Sequence, residues 1–160
     1  MPSAEQQHTE VHEQAGQDLA DIVSRLRRAM RRAARAADPA IALSVAQLEL
    51  LSCISEQPGV RPSQLARLLR IAPSSVATLL NTLQGAGYVT RTGGETDRRT
   101  ATLTLSEQGL TAVTRWQQVN EQIIGTALKS LPPRSQAALQ HATAALRDLT
   151  NAIDSLADQA

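Results

Sequence analysis

LSVAQLELLSCISEQPGVRPSQLARLLRIAPSSVATLLNTLQGAGYVTRTGGETDRRTATLTLSEQG, residues 43 to 109, is the stretch that decides the fold. Ser44 can cap a first helix, its hydroxyl taking an orphan amide while Gln47 reaches back to the cap, and Leu48, Leu51 and Ile54 then recur at helical spacing. Gln57-Pro58-Gly59 ends that helix, because a residue before proline leaves the helical region and glycine tolerates the turn. Pro62 suits the first position of a second, short helix that buries Leu65, Leu68 and Leu69. Ile71-Ala72 make the turn, and Pro73 opens a third helix.

The third helix sets Val76, Leu79, Leu80 and Leu83 on one face, the spacing of an amphipathic helix. Its other face carries Ser74, Ser75, Ala77, Thr78, Asn81 and Thr82, all short and none acidic. Such a face can enter a major groove without repelling phosphates, and its hydroxyls and amide can meet base edges or backbone oxygens. Gly85-Ala86-Gly87 closes the helix and Tyr88 to Thr92 is rich in strand formers. After Gly93-Gly94 and the charged tip Glu95-Thr96-Asp97-Arg98-Arg99, Thr100 to Leu105 alternates threonine with Ala101, Leu103 and Leu105, the period of a half-buried strand. Two strands around a basic tip make a wing, and a helix pair followed by a wing is a shape for gripping duplex DNA.

These residues carry a family resemblance. Leu43-Ser44-x-x-Gln47, Pro62-Ser63-Gln64-Leu65-Ala66, Pro73-Ser74-Ser75-Val76, Leu83-x-x-Ala86-Gly87-Tyr88-Val89, Asp97-Arg98-Arg99 and Leu105-Ser106-Glu107-x-Gly109 resemble, in this order, the winged helix-turn-helix of the MarR family of bacterial transcription regulators. The resemblance implies a mainly α fold, a winged helix-turn-helix with long N- and C-terminal dimerisation helices. It also implies a homodimer whose third and fourth helices form the helix-turn-helix, and a wing arginine that reaches the minor groove. A crevice between the DNA-binding lobe and the dimer helices, where a small aromatic or phenolic effector acts, belongs to the same expectation. The organisation expected is a flexible polar tail over 1–16, an N-terminal dimerisation helix over 17–42, the DNA-binding domain over 43–105 and C-terminal dimerisation helices over 106–160.

The chain departs from the family pattern at three positions. Ala72 stands where a capping serine is usual, a loss worth about 1 kcal/mol. Thr78 and Thr82 occupy positions that are frequently arginine, so the recognition helix is neutral. Phosphate attraction then falls to Arg61, Arg67, Arg70, Arg91, Arg98 and Arg99, six arginines against only Glu95 and Asp97 between Gln57 and Leu105, a local charge of +4 inside a chain of +1. The DNA-facing set expected is those six arginines with Ser63, Ser74, Ser75, Thr78, Thr82 and Asp97, where the hydroxyls near the start of the third helix tune sequence choice and Asp97 fixes the tip.

Composition sets the remaining bounds. With 160 residues, no phenylalanine, one tryptophan and one tyrosine, packing falls to leucine, alanine, valine and isoleucine. No apolar run is long enough to cross a bilayer, and the polar stretch from Ser3 to Gln17 lacks the apolar core of a signal peptide, so the expected location is the cytoplasm. The single cysteine, Cys53, excludes an internal disulfide framework. Ile22, Val23, Leu26 and Met30 form a stripe on a helix crowded by Arg25, Arg27, Arg28, Arg31, Arg32 and Arg35. Leu110, Val113, Ile124 and Leu128 mark a long helix that Leu131-Pro132-Pro133 breaks. Beyond it Ala138, Ala142, Ala145, Leu149, Ala152 and Leu156 recur in steps of four and three, the spacing of a helix that packs closely on another. Apolar faces at both ends imply a second copy.

Other readings compete at single residues. Cys53 can be a redox switch or a buried inert thiol, and its apolar neighbourhood favours the second. His8 and His12, four apart, can share a metal, but their polar surroundings favour no ligand role. Trp116 can line the effector crevice or pack the dimer helices, and packing is the commoner use of a tryptophan. Three classes follow: a ligand-responsive dimeric DNA-binding regulator acting as a repressor on an inverted repeat, a winged-helix protein-interaction module without DNA binding, and an enzyme. The enzyme is the weakest, because paired carboxylates, a cysteine-histidine pair and a glycine-rich phosphate loop are all missing from the sequence; no metal and no cofactor are expected.

Overall fold

The chain runs through α1 (Ala4–Ala37), α2 (Val45–Glu56), α3 (Pro62–Leu69), α4 (Pro73–Gly85), β1 (Val89–Thr92), β2 (Thr102–Leu105), α5 (Glu107–Lys129) and α6 (Pro133–Asp158). This computed structural model describes residues 4–39, 42–93 and 101–158. The fold is mainly helical with one two-stranded antiparallel sheet, a winged helix-turn-helix flanked by long helices. Two compact units divide it, residues 1–120 and 121–160.

Local chemistry explains each boundary of the central segment. Ser44 N–H donates to Gln47 Oε1 at 2.8 Å and Gln47 N–H to Ser44 Oγ at 3.3 Å, completing the capping box of α2. After α2, Val60 N–H donates to Gln57 O at 3.1 Å around Pro58 and Gly59, whose φ of 87° is what the third residue of a type II turn requires. At the start of α3, Gln64 Oε1 accepts from Arg61 N–H at 2.9 Å; the guanidinium has no acceptor, so only half a capping box forms.

α3 and α4 end alike. Ile71 N–H donates to Ala66 O at 3.2 Å and Arg70 N–H to Arg67 O at 3.3 Å, while Tyr88 N–H donates to Leu83 O at 2.9 Å and Gly87 N–H to Gln84 O at 3.0 Å. These nested pairs are Schellman motifs, whose turning residue must be left-handed. In α4 that residue is Gly87, with φ 80°; in α3 it is Arg70, with φ 50°, the one non-glycine residue of positive φ among those described. Holding a side chain there costs roughly 1 kcal/mol. The turn of the helix pair therefore starts at Arg70, one residue before the expected Ile71-Ala72.

The wing is anchored along both edges of β2. Val89 pairs with Leu105 and Arg91 with Leu103 across the sheet. On the other edge Gly59 N–H donates to Leu103 O at 2.8 Å and Leu103 N–H to Val60 O at 3.0 Å, so the α2–α3 turn holds the wing base. Ser106 then joins three elements. Its N–H donates to Tyr88 O at 3.0 Å, and its hydroxyl donates to Gly87 O at 2.6 Å while accepting from Gly109 N–H at 3.0 Å. A methyl group at position 109 would stand 2.1 Å from Tyr88 O, so only glycine admits this approach.

The core is aliphatic, as the composition requires. Leu50, Leu51, Ile54, Leu65, Val76, Leu83, Leu103 and Val113 are fully buried, each worth roughly 1.5 to 3 kcal/mol of transfer free energy. Leu50 joins the expected stripe of Leu48, Leu51 and Ile54 because α2 is the central helix, packed against α3, α4 and β2. Leu68 corrects the expectation for α3: it is 48% exposed, since the inward arc of so short a helix takes Leu65, Ala66 and Leu69.

The N-terminal helix starts earlier than the pattern alone indicates. α1 begins at Ala4, across most of the stretch expected as a flexible tail over 1–16. Its alanine, glutamate and glutamine content favours a helix without an apolar stripe, and Gln14 Nε2 donates to Asp18 Oδ1 at 2.9 Å one turn on. In the first unit Ile22 and Leu26 of α1 lie exposed. In the second, α5 stops at Lys129, Gln136 Nε2 donates to Leu131 O at 2.8 Å, and Pro133 opens α6, which leaves Leu139, Leu146 and Ile153 exposed in steps of seven. Among the described residues no helix is long and apolar enough to cross a membrane.

Two glycine substitutions test this packing. Gly109→Ala should lower unfolding free energy by about 2 kcal/mol or more, as overpacking against backbone does. Gly125→Ala on α5, where nothing lies within 4 Å of the new methyl group, should raise it by up to about 1 kcal/mol. Equal effects of the two in urea unfolding would contradict the account of the Ser106 joint.

Candidate nucleic-acid interface

α3 and α4 present the residues singled out in the sequence. Arg61, Ser63, Arg67, Arg70, Ser74, Ser75, Thr78, Thr82 and Arg91 are all exposed. Ser63 and Arg67 of α3 share a shallow groove of about 360 Å³ with Pro73 and Ala77 of α4, so the helix pair presents one surface. Arg91 stands on β1, the first strand of the wing. Asp97, Arg98 and Arg99 lie outside the described residues, as does Thr100.

The hydroxyls of α4 are not all available in the same way. Thr78 Oγ1 donates to Ser74 O at 3.0 Å and Thr82 Oγ1 to Thr78 O at 3.1 Å. With their protons turned inward, both threonines offer outward lone pairs and methyl groups. That chemistry suits an amino group of adenine or cytosine, or a thymine methyl, and not a phosphate, which only accepts. The positive potential of this surface thus comes from its arginines and from the amino end of α4. Ala72 supplies no side-chain cap there, and exposed amides at a helix start favour an anion.

One further feature escaped the sequence reading, and one residue falls on the less expected of its two readings. Asp38, buried at the end of α1, is held by Arg115 of α5: Nη2 donates to Oδ1 at 2.7 Å and Nε donates to Oδ2. The partners are 77 residues apart, and no local periodicity signals the pair. Trp116, half-buried, lies on the wall of a cleft of about 590 Å³ beside Arg27, Arg31 and Arg35, whereas packing of helices was its commoner expected use. A neighbouring cavity of about 470 Å³ is lined by Leu43, Tyr88, Glu107 and Arg115.

Cys53 is half-buried on α2, and burial raises its thiol pKa above the usual 9.0, with Glu56 and Glu49 adding in the same direction. A raised pKa in the folded state favours folding while the thiol is protonated and loses that contribution as pH climbs through 9 and beyond. The thiol should therefore react with iodoacetamide at pH 7.5 more slowly than free cysteine. Between pH 7.5 and 10 the protein should also lose more melting temperature than Cys53→Ala does. Fast alkylation at pH 7.5 would instead mark a reactive thiolate.

Residues 43–101 match the sequence model of the MarR family. No curated protein matches the chain. Among solved structures, a transcriptional regulator protein from Pseudomonas aeruginosa PA01 is similar with a TM-score of 0.74 at 26% identity, over 89% of this chain and 96% of its own. Streptococcus pneumoniae FabT in complex with DNA is similar with a TM-score of 0.66 at 20% identity, over 93% and 99%. Wild-type MarR from E. coli, in its apo form, gives 0.66 at 19% identity, over 80% and 96%.

Proposed function

We propose that this chain, a member of the MarR family through the winged helix-turn-helix of residues 43–101, is a homodimeric transcription regulator that binds duplex DNA in the bacterial cytoplasm. It represses by occupying an inverted-repeat operator and is released by a small-molecule effector. The observation that carries DNA binding is the exposed, acid-free face of α4 framed by Arg61, Arg67, Arg70 and Arg91. The FabT complex with DNA, on a similar fold, supports the same reading. Apolar residues left exposed on α1 and α6 support a second copy, since soluble monomers rarely leave such stripes uncovered.

Roles divide by chemistry. Ser74, Ser75, Thr78 and Thr82 face bases; Arg61, Ser63, Arg67, Arg70, Arg91 and Arg98 hold phosphates. Arg99 enters a narrow minor groove, where negative potential is strongest, and Asp97 orders the wing tip by accepting hydrogen bonds. A second reading, a winged-helix module that binds protein and not DNA, draws on the neutral α4.

Mobility shifts with promoter DNA across a salt series separate the two readings, because phosphate neutralisation makes affinity fall steeply with salt. Arg67→Ala should weaken binding to every sequence alike and reduce the slope of log affinity against log salt by about one. Thr78→Val, which keeps the shape and removes the outward lone pairs, should change base preference and leave the slope intact. A salt-independent shift, or no shift at low salt, would favour the protein-interaction module.

A further inference from the structure

The exposed face of α4 holds one side chain that differs from the rest. At about 3.6 residues per turn, Ser74, Thr78 and Asn81 line up opposite the buried Val76, Leu80 and Leu83, so Asn81 stands in the middle of the face turned outward. One turn before it is Ala77, and one turn after it is Gly85, where nothing lies within 4 Å of an added methyl group. Asn81 is therefore the longest side chain on this strip and has no bulky neighbour along it.

Its chemistry is set apart by what the other polar groups already do. Thr78 and Thr82 have their protons in bonds to Ser74 O and Thr78 O, so each presents an acceptor alone. A single acceptor takes a proton from adenine N6 or cytosine N4 without distinguishing them, and the hydroxyls of Ser74 and Ser75 can donate or accept at any base. The other carboxamides of the helix pair are engaged or withdrawn. Gln64 Oε1 accepts from Arg61 N–H at 2.9 Å, and Gln84 is half-buried at the last turn of α4. The exposed Asn81 carboxamide has no hydrogen bond to any described residue, and it offers donors and an acceptor side by side.

Adenine alone among the four bases presents the matching pair in the major groove, N7 as acceptor and N6–H as donor. Guanine puts two acceptors there, N7 and O6, which call for paired donors such as a guanidinium, and α4 carries no arginine or lysine. We propose that Asn81 is the specificity-determining residue of α4 and reads one adenine in each half-site, donating to N7 and accepting from N6. The proposal rests on the DNA-binding reading given above and adds to it the base that the recognition helix selects.

Selection from a library of random duplexes by the full-length protein supplies the site, and chemistry at one base then tests the contact. The duplexes retained should share an adenine in each half-site. Asn81→Ala should select the same sequence with that adenine alone unspecified. Asn81→Asp, of the same shape with acceptors only, should prefer cytosine there, whose N4 donates. In the best duplex retained, 7-deazaadenine in place of that adenine in one half-site keeps the pairing with thymine and removes the N7 acceptor. It should weaken wild-type binding about tenfold, a difference of about 1.4 kcal/mol, and leave Asn81→Ala binding unchanged. N6-methyladenine, which puts a methyl group where the outward N–H stood, should act likewise. The same substitutions at adenines outside the half-sites should have no effect.

Equal weakening of every duplex by Asn81→Ala, with the selected sequence unchanged, would overturn the proposal and assign Asn81 to a phosphate. So would a selected wild-type sequence without the adenine, or a 7-deazaadenine effect of equal size in wild type and Asn81→Ala. Each of these results leaves DNA binding itself intact. Retention of no duplex by the wild type at low salt would instead overturn both the proposal and the reading on which it rests.

Discussion

The approach of α5 to the backbone at Tyr88 is the constraint on which the rest of the DNA-facing unit depends. Ser106 bonds to Gly87 O, Tyr88 O and Gly109 N–H, joining the end of α4, the foot of β1 and the first turn of α5. None of these contacts survives a wider separation, and a side chain at 109 would impose one. Together with the bonds between the α2–α3 turn and Leu103, this joint fixes the wing against the helix pair from two directions. The recognition surface is thus built on backbone geometry, which a core of small aliphatic side chains then fills.

Charge is distributed around that frame and not along α4. The helix that faces outward contributes hydroxyls whose protons are directed into its own backbone, while arginines occupy α3, its boundaries and β1. Arg70 illustrates the compromise, since the turn prefers glycine at its left-handed position and carries a cation there instead. Stability of roughly 1 kcal/mol is forgone at a residue that adds positive charge to the candidate interface.

Much of this was legible because the signals are local. The Ser44–Gln47 box, the Pro58-Gly59 turn, Pro73 at a helix start and the Leu131-Pro132-Pro133 break depend on neighbours within four residues, and each appears in the structure as read. Burial was less legible where it depends on partners. Leu50 is buried and Leu68 is not because of what surrounds α2 and α3, which periodicity does not encode. The pairing of Val60 with Leu103 and of Asp38 with Arg115 joins distant residues, and neither has a sequence signature. In the candidate site, exposure of Arg61, Arg67, Arg70 and Arg91 and of the α4 hydroxyls followed from the pattern, but the inward turn of the threonine protons required coordinates.

Dimethyl sulfate footprinting of the full chain on the genomic fragments it retains tests DNA recognition most directly. Guanine N7 lies in the major groove and adenine N3 in the minor groove, so the pattern reports which element enters which groove. The account predicts two N7 protections in successive major grooves about 34 to 36 Å apart, with N3 protection on the flanks from the wings. Protection confined to the minor groove, or retention with no protection at saturating protein, would contradict it.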